Sequence, residues 1–440
     1  MLEPRPDAEL RRARDRGEAP DPARVAVISV HTSPGDQPGS GDSGGMNVYV
    51  REVAGRLVEQ GIQVDIYTRL DGDPGPRVQD IGDGARLIRV PAGPRGPVPK
   101  EDLPKHLPEF LDGVLSHAHA EDPTPHRHSP YDVVHSHYWL SGWVGSQAKQ
   151  IWGVPLVASF HTLGKVKNDS LDDRDHLEPS IRLAGEQKVV HGADRILAPT
   201  PVEAGQLVSL YGADPARIRI ISPGVDTELF VPRPKAEARA RLHLAKARLV
   251  LFVGRLQPFK GPDVAVRALA AAVRQAPELM RDAVLAVVGG PAGQQSQPDE
   301  VARLMQLASS AGVGDRVVFF PPQPHERLAD FYSAAEVVLV PSRWESFGLV
   351  ALEAEACGTP VIAADAGGLR DVVVDGSTGF LVKGHDPDRY GAKIVELFSD
   401  RKLARRLSAA AVRHAARFSW DATAAEIRGV YRELLPREAS

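Results

Sequence analysis

The sequence predicts an α/β protein of two domains, each a doubly wound, Rossmann-like parallel sheet, facing each other across a central cleft. The first observation is that short runs rich in Val and Ile alternate with segments long enough to form a helix. The second is that these runs form two series, one on each side of a proline-rich stretch at 230–235. The third is that 440 residues exceed the roughly 150 residues of a typical domain.

The first series contains six apolar runs, which we predict to be buried strands of one sheet. They lie at 24–30, 63–68, 132–135, 155–160, 195–198 and 218–221. A further strand-like run at 86–90 lies among loops rich in Gly and Pro. The residues before the first run are rich in charge and proline and lack an apolar run. We therefore predict a disordered tail at 1–22 and a first domain at 23–229.

The second series contains five runs, which we predict to be the strands of a second sheet. They lie at 249–253, 284–288, 317–320, 337–340 and 360–363. Amphipathic segments such as 262–275 alternate with them. We predict a linker at 230–235 and a second domain at 236–418. The final segment, 419–440, has apolar positions at helical spacing and needs a surface on which to pack.

The composition excludes several classes of protein. Hydrophobic residues make up 42% of the chain and charged residues 25%, which is ordinary for a globular protein. A formal net charge of −4 gives no reason to expect nucleic acid as a partner. The single cysteine, Cys357, excludes an intramolecular disulfide and fits a reducing compartment. Because no apolar run approaches the roughly 18 residues of a membrane span, we expect a cytoplasmic protein without a transmembrane segment.

A glycine-rich turn follows the first predicted strand and precedes a helix. Its residues 39–47 read G-S-G-D-S-G-G-M-N. Backbone N–H groups at the start of a helix bind anions or sugar hydroxyls, but glycine content alone fits a flexible loop equally well. The turn also matches Gly-x-Gly-x-x-Gly. That match begins nine residues beyond the strand, which argues against an NAD-dependent oxidoreductase.

Two cations directly follow the first strand of the second series. Arg255 and Lys260 lie in the segment G-R-L-Q-P-F-K-G at 254–261. At the carboxyl end of a parallel strand they would face the cleft, where a departing diphosphate needs positive charge. Isolated Arg and Lys residues are usually solvated, but this position favours a functional role.

Two carboxylates occur in the segment 341–360, which is predicted to form a turn, a short helix and the next strand. Glu345 precedes the helix and Glu353 lies within it. A pair of carboxylates suits general acid and base catalysis, and it equally suits acceptance of hydrogen bonds from sugar hydroxyls. The spacing does not decide between the two.

Three blocks together resemble the retaining glycosyltransferases of family four, which have the GT-B fold. They are E-S-F-G-L…E…G-x-P, G-R-L-x-x-x-K-G and D-x-G-G-M-N-V-Y-V, and the resemblance extends over about 24–435. Motifs at 31–34, 44–50, 135–139 and 160–162 are similar to a narrower group of that family. The resemblance implies transfer of N-acetylglucosamine from UDP-N-acetylglucosamine to 1D-myo-inositol 3-phosphate, the first step of mycothiol biosynthesis. It also implies that the last helix packs back on the first domain.

The resemblance further implies a role for each matching residue. Catalytic roles are implied for His161, Arg255, Lys260 and Glu345. Contacts to the donor are implied for Gln37, Pro38, Gly45, Arg255, Lys260, Gln323, Glu345 and Glu353. Contacts to the acceptor are implied for His31, Asp42, Ser43, Gly44, Gly45, Met46, Asn47, Lys100, Tyr138, Thr162 and Arg182. The first domain would bind the acceptor and the second the nucleotide sugar.

The implied chemistry needs no cofactor. Retention without an evident carboxylate nucleophile on the first domain suggests front-face substitution, in which the departing diphosphate accepts the acceptor's proton. The resemblance also implies a structural Mg2+ at Tyr332, Ser333, Ala335 and Thr359, chiefly through backbone oxygen atoms. The oligomeric state does not follow from the sequence, and a homodimer is kept as an expectation.

Two alternatives stay open. Another transferase of family four could take a sucrose-phosphate-like or a phosphatidylinositol acceptor, although a lipid acceptor would want an apolar entrance to the first domain. A UDP-sugar epimerase of the GT-B fold would use the same cleft. It would need an acid and base pair for elimination, and nothing in the sequence supports one.

Overall fold

The structure, a computed structural model, describes a large part of the chain. The described residues are 22–39, 41–72, 75–81, 84–121, 129–170, 177–244, 247–291 and 300–436. The predicted disordered tail lies outside them except for its last residue.

The first domain is built on one large sheet. Its strands are β1 (Arg24–Ile28), β2 (Gln63–Leu70), β3 (Val78–Asp80), β4 (Arg86–Pro91), β5 (Val133–His137), β6 (Leu156–Ser159), β7 (Arg195–Ala198) and β8 (Ile218–Ile220). They pair in the order β3-β4-β2-β1-β5-β6-β7-β8. All neighbours run parallel except β3, which is antiparallel to β4. The inner strands are buried on both faces because helices cover the sheet.

The helices of the first domain connect these strands. They are α1 (Gly45–Glu59), α2 (Leu107–Glu121), α3 (Trp139–Trp152), α4 (Gly164–Asp169), α5 (Ser180–Gly192) and α6 (Pro201–Tyr211). Short 3-10 turns occur at Leu103–His106 and Pro215–Arg217. The start of α6 shows local sequence control, because the Thr200 side chain accepts a hydrogen bond from the Glu203 N–H and Pro201 occupies the first helical position.

The second domain repeats the architecture on a smaller sheet. Its strands are β9 (Arg248–Val253), β10 (Ala283–Val288), β11 (Val317–Phe320), β12 (Ala335–Val340), β13 (Val361–Ala364) and β14 (Gly379–Val382). They run parallel in the order β11-β10-β9-β12-β13-β14.

Most of the remaining helices pack on the second sheet. They are α7 (Lys235–Arg241), α8 (Pro262–Gln275), α9 (Glu300–Ser310), α10 (His325–Ala334), α11 (Leu349–Ala356), α12 (Leu369–Val372), α13 (Pro387–Ser399), α14 (Arg401–Ala415) and α15 (Trp420–Leu434). Short 3-10 turns occur at Pro258–Lys260 and Gly314–Arg316. None of the helices in the described part of the chain is both long and apolar enough to cross a bilayer.

The predicted fold class is confirmed, with two doubly wound parallel sheets formed by the two series of apolar runs. Two strands were not predicted. The edge strand β3 has three exposed residues and therefore no buried pattern to detect. The strand β14 begins at Gly379, where an added Cβ would lie 2.2 Å from the Val361 carbonyl oxygen. The neighbouring strand therefore leaves no room for a side chain at this position. The glycine that is required there weakens the apolar pattern by which a strand is predicted from sequence.

The last helix, α15, returns from the second domain and packs against α1 and the first sheet. Its Trp420, Ile427 and Tyr431 are buried in one cluster with Val27 and with residues of α1. The Tyr431 hydroxyl also forms a 2.7 Å hydrogen bond with His135 Nδ1 on β5. The end of the chain is therefore joined to the core of the first domain by both apolar and polar contacts.

We expect Tyr431→Phe to lower the free energy of unfolding by about 1–2 kcal/mol. The substitution leaves one buried nitrogen of His135 without its partner, while the other nitrogen keeps its 2.9 Å bond to Ser159 Oγ. Urea unfolding followed by tryptophan fluorescence measures the loss. Tyr390→Phe is the matched control, because that hydroxyl makes only a 3.3 Å contact with a backbone carbonyl. Equal losses in the two variants would contradict the expectation.

Candidate active site

A cleft of about 860 Å3 lies between the two domains. Its wall is formed by residues that follow β1, β5 and β6 in the first domain and β9 and β12 in the second. This is where parallel sheets place ligands, because the carboxyl ends of their strands face a common crevice. Thirteen predicted site residues lie in the wall, namely His31, Asp42, Gly44, Gly45, Met46, Lys100, Tyr138, His161, Thr162, Arg182, Arg255, Lys260 and Glu345.

The loop between β1 and α1 is held in place by Asn47. Its side-chain amide donates to Thr32 Oγ1 at 2.8 Å and to the Ser33 carbonyl at 2.6 Å. Its Oδ1 accepts the Gly44 N–H at 3.1 Å. Because these bonds use both donors and the acceptor of the amide, Asn47 shapes the loop in this structure and does not lie in the cleft wall.

Asp42 lies between cations of the two domains. Its Oδ1 is 2.6 Å from Lys100 Nζ and 3.9 Å from an Arg255 nitrogen. Loss of hydration lowers the pKa of Lys100, and Asp42 opposes that effect. Burial, followed by the charge of Lys100, lowers the pKa of His31. His31 is therefore neutral near pH 7.

Arg182 is fully engaged by its neighbours. Its Nε donates to Glu186 Oε1 at 2.8 Å, its Nη1 to Glu178 Oε2 at 2.7 Å and its Nη2 to Thr162 Oγ1 at 3.0 Å. The guanidinium carbon lies 5.0 Å from the centre of the Tyr138 ring. Burial disfavours its charge, but the negative groups around it outweigh burial and raise the pKa of Arg182.

His161 lies directly after β6 with a positive φ of 61°. Its Nε2 forms a 2.8 Å hydrogen bond with His137 Nδ1, and the Tyr49 ring packs edge-on at 5.1 Å. Its carbonyl oxygen accepts a 2.5 Å hydrogen bond from Ser346 Oγ of the second domain. Burial lowers the pKa of His161 to about 3, so the imidazole is neutral.

The second-domain wall contains a cation and a carboxylate in contact. Lys260 Nζ lies 2.6 Å from Glu345 Oε1, which also accepts a 2.8 Å bond from Ser342 Oγ. Gly261 allows this geometry, because its φ is +69° and an added Cβ would lie 2.4 Å from the Pro341 carbonyl oxygen. A glycine is therefore required immediately after Lys260.

Six predicted site residues do not lie in the wall of the cleft, namely Gln37, Pro38, Ser43, Asn47, Gln323 and Glu353. Ser43 lines an adjoining pocket of about 180 Å3, which shares His31 and Asp42 with the cleft. Gln323 Nε2 donates to the Pro321 carbonyl at 2.8 Å. Glu353 Oε2 accepts a 2.6 Å bond from the Tyr332 hydroxyl, and burial raises the pKa of Glu353 to about 7. Their contacts with substrates stay predictions.

The residues of the wall that were not predicted from the sequence include Lys167, Glu178 and Ser346. Lys167 and Arg182 both form ion pairs with Glu178. The sequence did contain an indication of the pair between Glu178 and Arg182, because the two residues are four positions apart, a spacing at which ion pairs form on a helix. Nothing in the sequence shows that the Ser346 hydroxyl reaches the other domain.

Two backbone oxygens of the predicted magnesium site accept hydrogen bonds within the protein. The Tyr332 carbonyl accepts a 2.7 Å bond from Thr359 Oγ1. The Ala335 carbonyl accepts a bond from the Lys235 ammonium group. The ammonium group opposes binding of a metal ion at that oxygen, and the magnesium site stays a prediction. Within the described residues, no group of three or more His, Cys, Asp or Glu side chains is arranged to hold a metal.

Comparison with known proteins places the chain in a family. A family model described as "Glycosyl transferases group 1" matches residues 234–414, and one described as "Glycosyl transferase 4-like domain" matches residues 44–224. Among solved structures, the sucrose-phosphate synthase from Thermosynechococcus elongatus is similar with a TM-score of 0.84. It is 36% identical, and the match covers 93% of this chain and 98% of that one.

Curated relatives are more similar in sequence. The D-inositol 3-phosphate glycosyltransferase of Thermobispora bispora is 51% identical, over 94% of this chain and 95% of its own. The protein of the same name from Acidothermus cellulolyticus is 52% identical, over 94% of this chain and 91% of its own. The chain therefore belongs to the family of D-inositol 3-phosphate glycosyltransferases.

Proposed function

We propose that the protein transfers N-acetylglucosamine from UDP-N-acetylglucosamine to 1D-myo-inositol 3-phosphate with retention of configuration. The observation that carries the proposal is that each domain contributes its own cations to the shared cleft. Lys100 and Arg182 lie on the first-domain wall, and Arg255 and Lys260 on the second. A reaction between a nucleotide diphosphate and an acceptor phosphate needs two such groups. The family name supports the acceptor.

The donor would occupy the second-domain side. Arg255 and Lys260 would bind the diphosphate, and Glu345 would accept hydrogen bonds from hydroxyls of the transferred sugar. The 2.6 Å contact between Lys260 and Glu345 supports this arrangement. It orients the carboxylate toward the same part of the cleft as the ammonium group. The ammonium group of Lys260 and the carboxylate of Glu345 are then neighbours in the site, just as the diphosphate and the sugar that they would bind are neighbours in the donor.

The acceptor would occupy the first-domain side. Its phosphate would bind Lys100, Tyr138, Thr162 and Arg182, and its ring would lie against His31 and the loop after β1. In this structure, Lys100 is paired with Asp42, and Arg182 with Glu178. Binding of a phosphate dianion would therefore exchange one anion for another. The cations need not be transferred from water, which lowers the cost of binding.

A front-face reaction fits these groups. The bond between the anomeric carbon and the departing UDP oxygen breaks, and the acceptor oxygen bonds to that carbon on the same face. The acceptor's proton passes to the UDP phosphate oxygen. Asp42 and Glu178 are both engaged by cations, which weakens either one as a nucleophile. The neutral His161 would donate or accept a hydrogen bond near the reacting carbon.

We further propose that transfer requires no metal ion, because four cations of the cleft can neutralise the phosphates of both substrates. A cytoplasmic location and a homodimer stay predictions. Sedimentation velocity measures the oligomeric state. Turnover at equal rates in excess EDTA and in excess Mg2+ is the expected result for metal independence.

The test of the proposed function is release of UDP across a set of acceptors. We expect UDP-N-acetylglucosamine with inositol 3-phosphate to give the highest kcat/KM, and free inositol to be lower by about tenfold or more, because it lacks the charge-assisted phosphate contacts. Fructose 6-phosphate is included because of the similarity to sucrose-phosphate synthase. Faster release with that sugar, or release with inositol 3-phosphate no faster than with water, would refute the assignment. Formation of an epimer from the donor alone would support the epimerase.

A further inference from the structure

One hydrogen bond crosses the cleft from the second domain to the backbone of His161. Ser346 Oγ donates to the His161 carbonyl oxygen at 2.5 Å. The two residues are 185 positions apart, and one belongs to each domain. This bond therefore exists only while the two domains are close together.

His161 needs such support because its backbone is strained. Its φ of 61° lies in the left-handed region, which residues with a Cβ adopt at a cost in free energy. Its side chain is fixed by His137 and Tyr49 of the first domain. Its carbonyl is fixed by the second domain. A change at the carbonyl would rotate the adjoining peptide groups and with them the direction of the imidazole.

The residues around Ser346 show that this segment is an interdomain contact. Trp344, two positions before it, packs against the core cluster of the first domain that contains Phe160. Leu349, three positions after it, packs against the first-domain cluster that contains Val48. Ser346 thus presents its hydroxyl from a segment that is pressed against the other domain on both sides.

A buried acid of the first domain lies close to the same hydroxyl. Glu203, on α6, is 2% exposed and lies beside Ser346. Burial raises the pKa of Glu203 to about 7, so the carboxyl group can carry a proton near neutral pH.

We propose that Ser346 is an interdomain positioning residue whose hydroxyl completes the His161 site when the two domains close. The inference rests on the proposed role of His161 and adds the coupling of that role to domain closure. Ser346 acts through the backbone of His161 and not on the reacting atoms. Its loss should therefore slow turnover without weakening the binding of UDP.

The test compares three variants. Ser346→Ala should lower kcat by about tenfold, the upper range for one hydrogen bond, while UDP affinity measured by calorimetry is unchanged. Ser346→Thr restores a hydroxyl and should recover most of the rate. Ser408→Ala is the matched control, because Ser408 Oγ makes the same kind of 2.5 Å bond to a backbone carbonyl, that of Gly358, away from the cleft. It should keep the wild-type kcat.

The outcomes separate this inference from the choice of acceptor. The slow hydrolysis of the donor in the absence of acceptor is measured for the same variants, and Ser346→Ala should lower it by a similar factor. If inositol 3-phosphate is not the acceptor, the expected decrease in donor hydrolysis for Ser346→Ala is unaffected, because that measurement contains no acceptor. The positioning role is overturned if Ser346→Ala matches Ser408→Ala in kcat, if its loss lies in UDP affinity, or if Ser346→Thr is as slow as Ser346→Ala.

Discussion

We expect Lys260→Ala to lower kcat about a hundredfold, the usual scale for removing one preorganised group that stabilises charge in the transition state. Negative charge on the departing UDP grows as the sugar bond breaks, so the ammonium group contributes most in the transition state. Interactions of this kind appear in kcat and less in KM. Steady-state kinetics with varied UDP-N-acetylglucosamine measures both constants.

The contact with Glu345 complicates that substitution and also provides its control. Without Lys260, Glu345 keeps Ser342 as a partner but loses the cation 2.6 Å away. The double variant Lys260→Ala with Glu345→Gln shows how much of the loss passes through this pair, because coupled residues give non-additive effects. Lys393→Ala breaks an ion pair with Glu396 on α13 and should leave kcat unchanged. A raised donor KM at unchanged kcat would show that Lys260 only binds the substrate.

The fold could be predicted from the sequence because buried parallel strands leave a simple pattern. Runs such as 195–198 and 317–320 match the observed strands at both ends. The long helix α8 begins at Pro262, after a glycine with positive φ, and was predicted with the same bounds. The strand β3 could not be found in this way, because its three residues bury nothing. The apolar pattern in a sequence indicates which residues are buried. An element whose residues are all exposed therefore produces no such pattern.

The cleft was predicted less completely, because a sequence motif names residues but not their partners. Arg255 and Lys260 lie in the wall, as their place after a buried strand implies. Glu353 lies on α11, beside the cleft segment that contains Glu345, but its side chain accepts a hydrogen bond from the Tyr332 hydroxyl inside the second domain. The partner of Ser346 lies in the other domain. Such contacts depend on how the domains meet, which local patterns do not encode.

Arg182 has a structural role that the sequence did not predict, because its guanidinium group forms ion pairs with two carboxylates, Glu178 and Glu186. Glu186 is fully buried and also accepts hydrogen bonds from the Gly164 N–H and the Tyr211 hydroxyl. We therefore expect Arg182→Ala to do more than weaken binding of the acceptor phosphate. It should lower the free energy of unfolding by about 3 kcal/mol, since it leaves a buried charge without its cation.

Two measurements separate the structural role of Arg182 from its proposed role in binding. Urea unfolding reports the stability of Arg182→Ala, and kinetics at a temperature where the variant is folded report its selectivity for inositol 3-phosphate over free inositol. Arg182→Lys keeps a positive charge but cannot serve Glu178, Glu186 and Thr162 at once, so it should recover part of both losses. Because the phosphate contact is charge-assisted, kcat/KM for inositol 3-phosphate should fall about tenfold to a hundredfold in Arg182→Ala, with UDP affinity near that of the wild type. Equal losses for phosphorylated and free inositol would mean that Arg182 supports only the fold, and that Lys100 alone discriminates the acceptor.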